Sequence, residues 1–261
     1  MGESFLLDEI VNKKLKNLDF DSSKIKNLRL KAFDLPPPIG ADAIFSKPKT
    51  RVIAEVKKRS PSEGVLKLVD AVSQARLYEE AGAVAISVLT EADHFYGSIS
   101  DLENVKKSVS LPVLRKDFIV SVGEVYESRI KGADGILLIV GALPKERLKE
   151  LYDVSLELGM WVLLEIFEEE DLELALELRP SILGINHRNL RTLEIDLTKC
   201  FRLCPIAKSS GVRWVVAESA IKTRAQVLEL EDIGVDAFLV GSSLMKSSDP
   251  AFSLRELCGR V

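Results

Sequence analysis

Short apolar runs recur along this chain, and many of them end in a charged or amide side chain. Arg51-Val52-Ile53-Ala54-Glu55-Val56-Lys57 does so, as does Leu111-Pro112-Val113-Leu114-Arg115-Lys116-Asp117-Phe118. Trp161-Val162-Leu163-Leu164-Glu165, Ile182-Leu183-Gly184-Ile185-Asn186 and Trp214-Val215-Val216-Ala217-Glu218-Ser219 repeat the pattern. Continuous apolar runs of this length predict strands buried on both faces. A Lys or Glu at such a strand's end is costly unless it is paired or does chemistry. The recurrence therefore points to a reaction site at one end of a sheet.

Between these runs the period changes to that of helices. Strands are predicted to begin near Arg51, Val84, Pro112, Asp134, Trp161, Ile182, Arg213 and Asp236, at the spacing of a repeated βα unit. Ser121-Val122-Gly123-Glu124 reads as a capping box. Pro144 suits a first helical turn, and Gly159 a C-terminal stop. Leu148, Leu151, Val154, Leu156 and Leu158 form a broad apolar face. Gly82, Gly132, Gly159 and Gly234 each precede a strand, marking a repeated helix-to-strand turn. Together these predict an α/β fold, a single (β/α)8 TIM barrel of the usual ~250 residues. The rival is an open doubly wound sheet, which favours G-x-G-x-x-G after its first strand. Lys57-Lys58-Arg59-Ser60-Pro61-Ser62-Glu63-Gly64 stands there instead.

Residues 1–50 read differently from 51–261. Leu7, Ile10, Val11 and Leu15 recur at helical spacing, a second helix is predicted from Ser23 to Ala32, and Pro36-Pro37-Pro38 imposes an extended segment. So little apolar surface cannot fold alone. An N-terminal helical extension packed on the barrel is expected, giving one domain overall.

Composition narrows the function classes. The chain has 261 residues, 36 Lys plus Arg against 40 Asp plus Glu, and a formal charge of −4. This gives no basic signal for nucleic acid. No apolar run approaches a membrane span. Met1-Gly2-Glu3-Ser4-Phe5-Leu6 places an acid too early for a signal peptide and Leu6 where a myristoylation signal needs Ser or Thr. A cytoplasmic, monomeric protein is expected. Cys200, Cys204 and Cys258 are too few and odd in number for a disulfide framework, and the only histidines are His94 and His187. The cysteines are assigned to packing; no metal is expected.

The candidate chemistry follows from strand parity. Side chains alternate faces, so Ile53, Glu55 and Lys57 share one, as do Leu114 and Lys116, Leu163 and Glu165, and Val216 and Glu218. Reaction groups of a barrel lie at the C-terminal strand ends. Lys57, Lys116, Glu55, Glu165, Glu218 and Asn186 are thus predicted around one cavity. A lysine crowded by another has a lowered pKa and can donate a proton; a glutamate on an apolar wall has a raised one. The alternative is a structural ion-pair network. Gly241-Ser242-Ser243 and Glu218-Ser219-Ala220 follow the last two strands, where barrels bind phosphate, and Ser60 completes the ring. Arg188 is placed to pair with an anion. Leu89, Phe95, Phe118 and Leu137 are expected to form an apolar, partly aromatic pocket. His94 and His187 sit in loops, are expected to face water, and receive no catalytic role.

The ordered set Ala54-Glu55-Val56-Lys57-Lys58-Arg59-Ser60-Pro61-Ser62, Leu114-Arg115-Lys116-Asp117-Phe118, Glu165, Gly184-Ile185-Asn186-His187-Arg188, Ala217-Glu218-Ser219 and Val240-Gly241-Ser242-Ser243 resembles the indole-3-glycerol phosphate synthase family of tryptophan biosynthesis. The resemblance spans about residues 50 to 250. It implies a carboxy-lyase that closes 1-(2-carboxyphenylamino)-1-deoxyribulose 5-phosphate to an indole with loss of carbon dioxide and water, without a cofactor. It implies Lys116 as general acid on the ketone oxygen and Glu165 in the proton transfers of dehydration. Lys57 would hold the substrate carboxylate or act as second acid. Glu55, Asn186, Glu218 and Ser219 would orient the lysines and sugar hydroxyls, and Ser60, Gly241 and Ser242 would bind phosphate.

Two positions depart from the family pattern. Ala220 stands where a Gly is usual, and a left-handed backbone there would strain alanine by roughly 1 kcal/mol. Asn189 stands where Asp is common. Two competing functions are a phosphoribosylanthranilate isomerase, which needs a Cys at the first strand, and a non-catalytic barrel that binds a phosphometabolite. The Lys and Glu residues argue against both.

Overall fold

The structure is a computed structural model that describes residues 6–47 and 50–260. The first five residues, on which the leader and myristoylation readings chiefly rest, lie outside the described residues.

The predicted strands form β1 (Val52–Val56), β2 (Ala85–Leu89), β3 (Val113–Lys116), β4 (Gly135–Ile139), β5 (Trp161–Ile166), β6 (Ile182–Asn186), β7 (Trp214–Glu218) and β8 (Ala237–Val240). All pair in parallel with their neighbours, and β8 closes on β1. The result is a (β/α)8 barrel. Its apolar runs are buried on both faces because the ring of helices covers the outside while side chains fill the inside. The local signals act as read. Ser121 and Glu124 form a reciprocal capping box for the helix Val122–Ile130. Gly82, Gly132, Gly159 and Gly234 have φ between +75° and +98°, the left-handed turn that returns each helix to the sheet. In the helix Lys145–Glu157 the buried face is Leu148, Leu151, Tyr152 and Ser155. Leu156, read as part of that face, is exposed.

Helices Leu6–Lys16 and Ser22–Phe33 lie against the barrel. Leu7, Ile10 and Val11 are buried, whereas Leu15, read with them, is exposed. The helix Ser22–Phe33 packs along Val122–Ile130, and Lys14 Nζ reaches Asp117 Oδ1 at 2.7 Å and Glu124 Oε1 at 2.8 Å. Cys200, Cys204 and Cys258 are buried and free. No helix among the described residues is long and apolar enough to cross a membrane.

Candidate active site

Register brings the strand ends together. Asn186 on β6 lies opposite Glu218 on β7, Glu165 on β5 opposite Gly184, and Lys116 on β3 opposite Leu89. These ends line a cavity of about 400 Å³. Every residue proposed from sequence for catalysis or binding lines it, from Glu55 and Lys57 to Gly241 and Ser242.

At its floor Lys116 Nζ lies 2.9 Å from Glu165 Oε2 and 3.4 Å from Glu218 Oε2. Asn186 Nδ2 donates to Glu165 Oε1 at 3.0 Å. Lys57 Nζ lies 2.8 Å from Glu55 Oε1. Two glycines make room for this crowding. A methyl on Gly184 would lie 2.2 Å from Glu218 Oε1, and one on Gly241 would lie 2.3 Å from Glu55 Oε1.

The electrostatics correct one expectation. Lys116 is not crowded by a lysine; its neighbours are carboxylates. Burial works to depress its ammonium, but Glu165, Glu218 and Glu55 outweigh burial and hold its pKa above the ordinary lysine value. The two glutamates are pushed apart. Burial alone would raise Glu165, yet Lys116 and the Asn186 amide hold its carboxyl below the usual range. Burial and the neighbouring Glu165 charge push Glu218 well above it. Glu218 Oε1 accepts no hydrogen bond from the protein. The floor therefore sets one ammonium against two carboxyl groups shifted in opposite directions, the arrangement of separated acid and base roles.

One wall is apolar: Leu89, Phe95, Phe118 and Leu137 line it, with the two phenylalanine rings 6.1 Å apart. The opposite rim is polar. Ser60, Ser219, Ala220, Gly241 and Ser242 face the same space. Ser219 and Ala220 have φ of 66° and 60°, so alanine does occupy the left-handed region. Arg188 lines the cavity; its main-chain N–H donates to Asn186 Oδ1 and its guanidinium to the Leu193 carbonyl at 3.1 Å.

The histidine reading holds only in part. His94 stays partly exposed beside Glu91. His187 does not face water: it is 1% exposed, and its Nδ1 lies 3.0 Å from the Ser219 carbonyl oxygen. Sequence reasoning also missed Lys199, buried with its ammonium donating to the Phe167 and Asn186 carbonyls. It missed Leu6 and Leu7, which bring the N-terminal helix into the cavity wall. The helical spacing of Leu7 with Ile10 and Val11 was visible, but not what its face covers. Among the described residues no group of three or more His, Cys, Asp or Glu is placed to hold a metal ion.

Comparison with known proteins bears on the family and the fold. A family model described as Indole-3-glycerol phosphate synthase matches residues 7–257. The indole-3-glycerol phosphate synthase of Aquifex aeolicus (strain VF5) is 50% identical over 80% of this chain and 82% of its own length. That of Dehalococcoides mccartyi (strain CBDB1) is 45% identical over 97% of this chain and 99% of its own. Among solved structures, one of the tryptophan synthase a2b2 complex from Pyrococcus furiosus superposes with a TM-score of 0.60 at 18% identity, covering 81% of this chain and 98% of that one. That likeness concerns the fold alone.

Proposed function

The chain belongs to the indole-3-glycerol phosphate synthase family, and from that premise we propose how its residues divide the work of the reaction. The activity is the closure of 1-(2-carboxyphenylamino)-1-deoxyribulose 5-phosphate to indole-3-glycerol phosphate with loss of carbon dioxide and water, a step of tryptophan biosynthesis. The observation that carries the division of labour is the Lys116–Glu165–Glu218 triangle beneath a cavity with one apolar and one polar wall.

The substrate phosphate sits at the polar rim, against Ser60, Gly241, Ser242 and the Ser219-Ala220 turn, with Arg188 adding positive charge. The aromatic ring lies along Leu89, Phe95, Phe118 and Leu137. Lys57 holds the ring carboxylate, and Glu55 orients Lys57 through their 2.8 Å pair. The ring carbon that bears the carboxylate attacks the ketone, and negative charge develops on the ketone oxygen. An ammonium has three N–H donors. One of Lys116's is given to Glu165 and a second faces Glu218 at 3.4 Å, so a donor remains for that oxygen. Its raised pKa is no obstacle, because the alkoxide formed by attack is a far stronger base than the ketone. Loss of carbon dioxide restores the aromatic ring. Dehydration then needs a proton for the departing hydroxyl, from Lys57 or Lys116, and a base for the methylene carbon next to nitrogen. Glu165, held ionised, is that base. Asn186 fixes its orientation, and the raised pKa of Glu218 beside it favours sharing a proton over two repelling charges.

The described part of residues 1–50 acts as part of the same domain, since Leu6 and Leu7 belong to the cavity wall. We further propose a monomer working in the cytoplasm; the bacterial biosynthetic relatives support the location. The test is turnover followed by indole fluorescence. Lys116→Ala loses roughly a thousandfold or more in kcat, the scale of a positioned acid, while still binding the product. Unchanged turnover would remove the assignment.

A further inference from the structure

We propose that His187 is a positioning residue for this reaction: its Nδ1–H holds the Ser219 carbonyl and so keeps the left-handed Ser219-Ala220 turn in the shape that receives the substrate phosphate. The inference rests on placing the phosphate at that rim, and goes beyond it to the group that shapes the rim.

Ser219 and Ala220 are consecutive non-glycine residues with φ of 66° and 60°. Side chains disfavour this conformation, and it persists where surrounding contacts over-determine it. Those contacts are visible on both sides of Ala220. His187 Nδ1 lies 3.0 Å from the Ser219 oxygen, and Ser243 Oγ donates to the Ile221 oxygen at 2.9 Å. The His187 main-chain N–H also donates to the Glu218 oxygen at 3.0 Å, completing the ladder just before the turn. A carbonyl oxygen only accepts, so Nδ1 must carry the proton. Nε2 is then a bare acceptor, buried without a protein partner. Burial also favours the neutral ring, lowering the imidazole pKa. The side chain does not line the cavity and cannot touch substrate. What the buried ring contributes is the one bond from Nδ1, directed at the turn.

Kinetics with the carboxyphenylamino ribulose phosphate separate this role from mere structure. His187→Leu keeps the apolar bulk and removes the donor. It raises KM about tenfold, the scale of one lost hydrogen bond, with kcat within about twofold. His187→Asn, whose amide N–H falls near the Nδ1 position, stays close to the parent enzyme. Glycine adopts the turn unaided, so in an Ala220→Gly background His187→Leu raises KM by less than about threefold. An unchanged KM in His187→Leu overturns the proposal. So does a fall in kcat at constant KM, or an equal penalty in both backgrounds. Ser242→Ala distinguishes the underlying reading. A raised KM there with none in His187→Leu sinks only the histidine role, whereas no rise in either sinks the phosphate placement too. Should His187→Leu not fold, nitrogen-15 NMR decides, since the chain has only two histidines. The Nδ1–H tautomer, perturbed by inorganic phosphate, is expected; an Nε2–H tautomer or no response overturns the proposal.

Discussion

Arg115, Lys116 and Asp117 are consecutive, yet they serve two charge clusters with opposite properties. Lys116 points into the barrel, toward Glu165 and Glu218. Arg115 turns the other way, toward the helix Val122–Ile130, and Asp117 pairs with it there while also bordering the cavity. On the outer side every acceptor of Asp117 is filled. Oδ1 accepts from Lys14 at 2.7 Å and the Phe118 N–H at 2.8 Å; Oδ2 accepts from Thr90 at 2.5 Å and Arg115 at 3.1 Å. On the inner side Glu218 Oε1 accepts no hydrogen bond from the protein, and Lys116 keeps a donor free for the cavity. Both clusters are buried. One is saturated and the other is left short, which separates a structural network from a reactive one better than burial or charge alone.

The sharpest test of that contrast is to remove one charge from each cluster. Glu165→Gln keeps the shape and the Asn186 contact but abolishes the base, and should lower kcat by roughly 10² to 10⁴-fold. Its stability should change little, because Glu218, freed from the Glu165 charge that raises its pKa, can ionise in its place and keep Lys116 paired. Indole fluorescence and denaturant unfolding measure the two quantities. Near-normal turnover would reduce Glu165 to a structural partner.

Asp117→Asn should do the reverse. It leaves Lys14 and Arg115 facing a neutral amide and costs about 3 kcal/mol in denaturant unfolding, at the low end for breaking a buried pair. Turnover of the folded protein should fall by less than about tenfold. The pH dependence carries the sign. Burial opposes the Asp117 carboxylate, but Lys14 and Arg115 hold its pKa far below the ordinary range. A depressed folded pKa contributes stability that is present above the unfolded value and lost as pH falls toward the folded one. The stability gap between parent and Asp117→Asn should therefore be full at neutral pH and narrow below about pH 4. A gap independent of pH would mean that the carboxylate's charge is not what holds the outer cluster.

The inner cluster was largely legible in the sequence, and the outer one was not. Apolar runs ending in Glu55, Lys57, Lys116, Glu165, Asn186 and Glu218 betrayed their face, because strand parity is fixed by the backbone and needs no knowledge of neighbours. The same parity sets Asp117 opposite Lys116 but cannot say what meets it. Lys14 lies 103 residues away, and no local rule links the two. Electrostatic values failed for the same reason. The direction of the Lys116 shift depends on which charges surround it, and three glutamates on other strands decide it. His187 was misread because a residue just beyond a strand end can turn inward or outward, and only the position of the Ser219 carbonyl selects inward.

The smallest expected effect asks whether the reactive end also carries the backbone strain. Five non-glycine residues among those described have positive φ: Tyr96, Arg179, Leu193, Ser219 and Ala220. Leu193, Ser219 and Ala220 line the cavity, and Tyr96 adjoins Phe95 there. Only Arg179 lies elsewhere. No residue of the outer cluster is among them. Ala220→Gly removes one strained position. Relief of the left-handed alanine is worth about 1–2 kcal/mol, while the freer unfolded glycine costs about 0.4–1 kcal/mol. Relief wins, so unfolding should shift by about 0.5–1 kcal/mol toward greater stability. A loss of stability would mean that the surrounding hydrogen bonds, and not the alanine, set the energy of the turn. The saturated and the reactive ends would then differ in their charges alone.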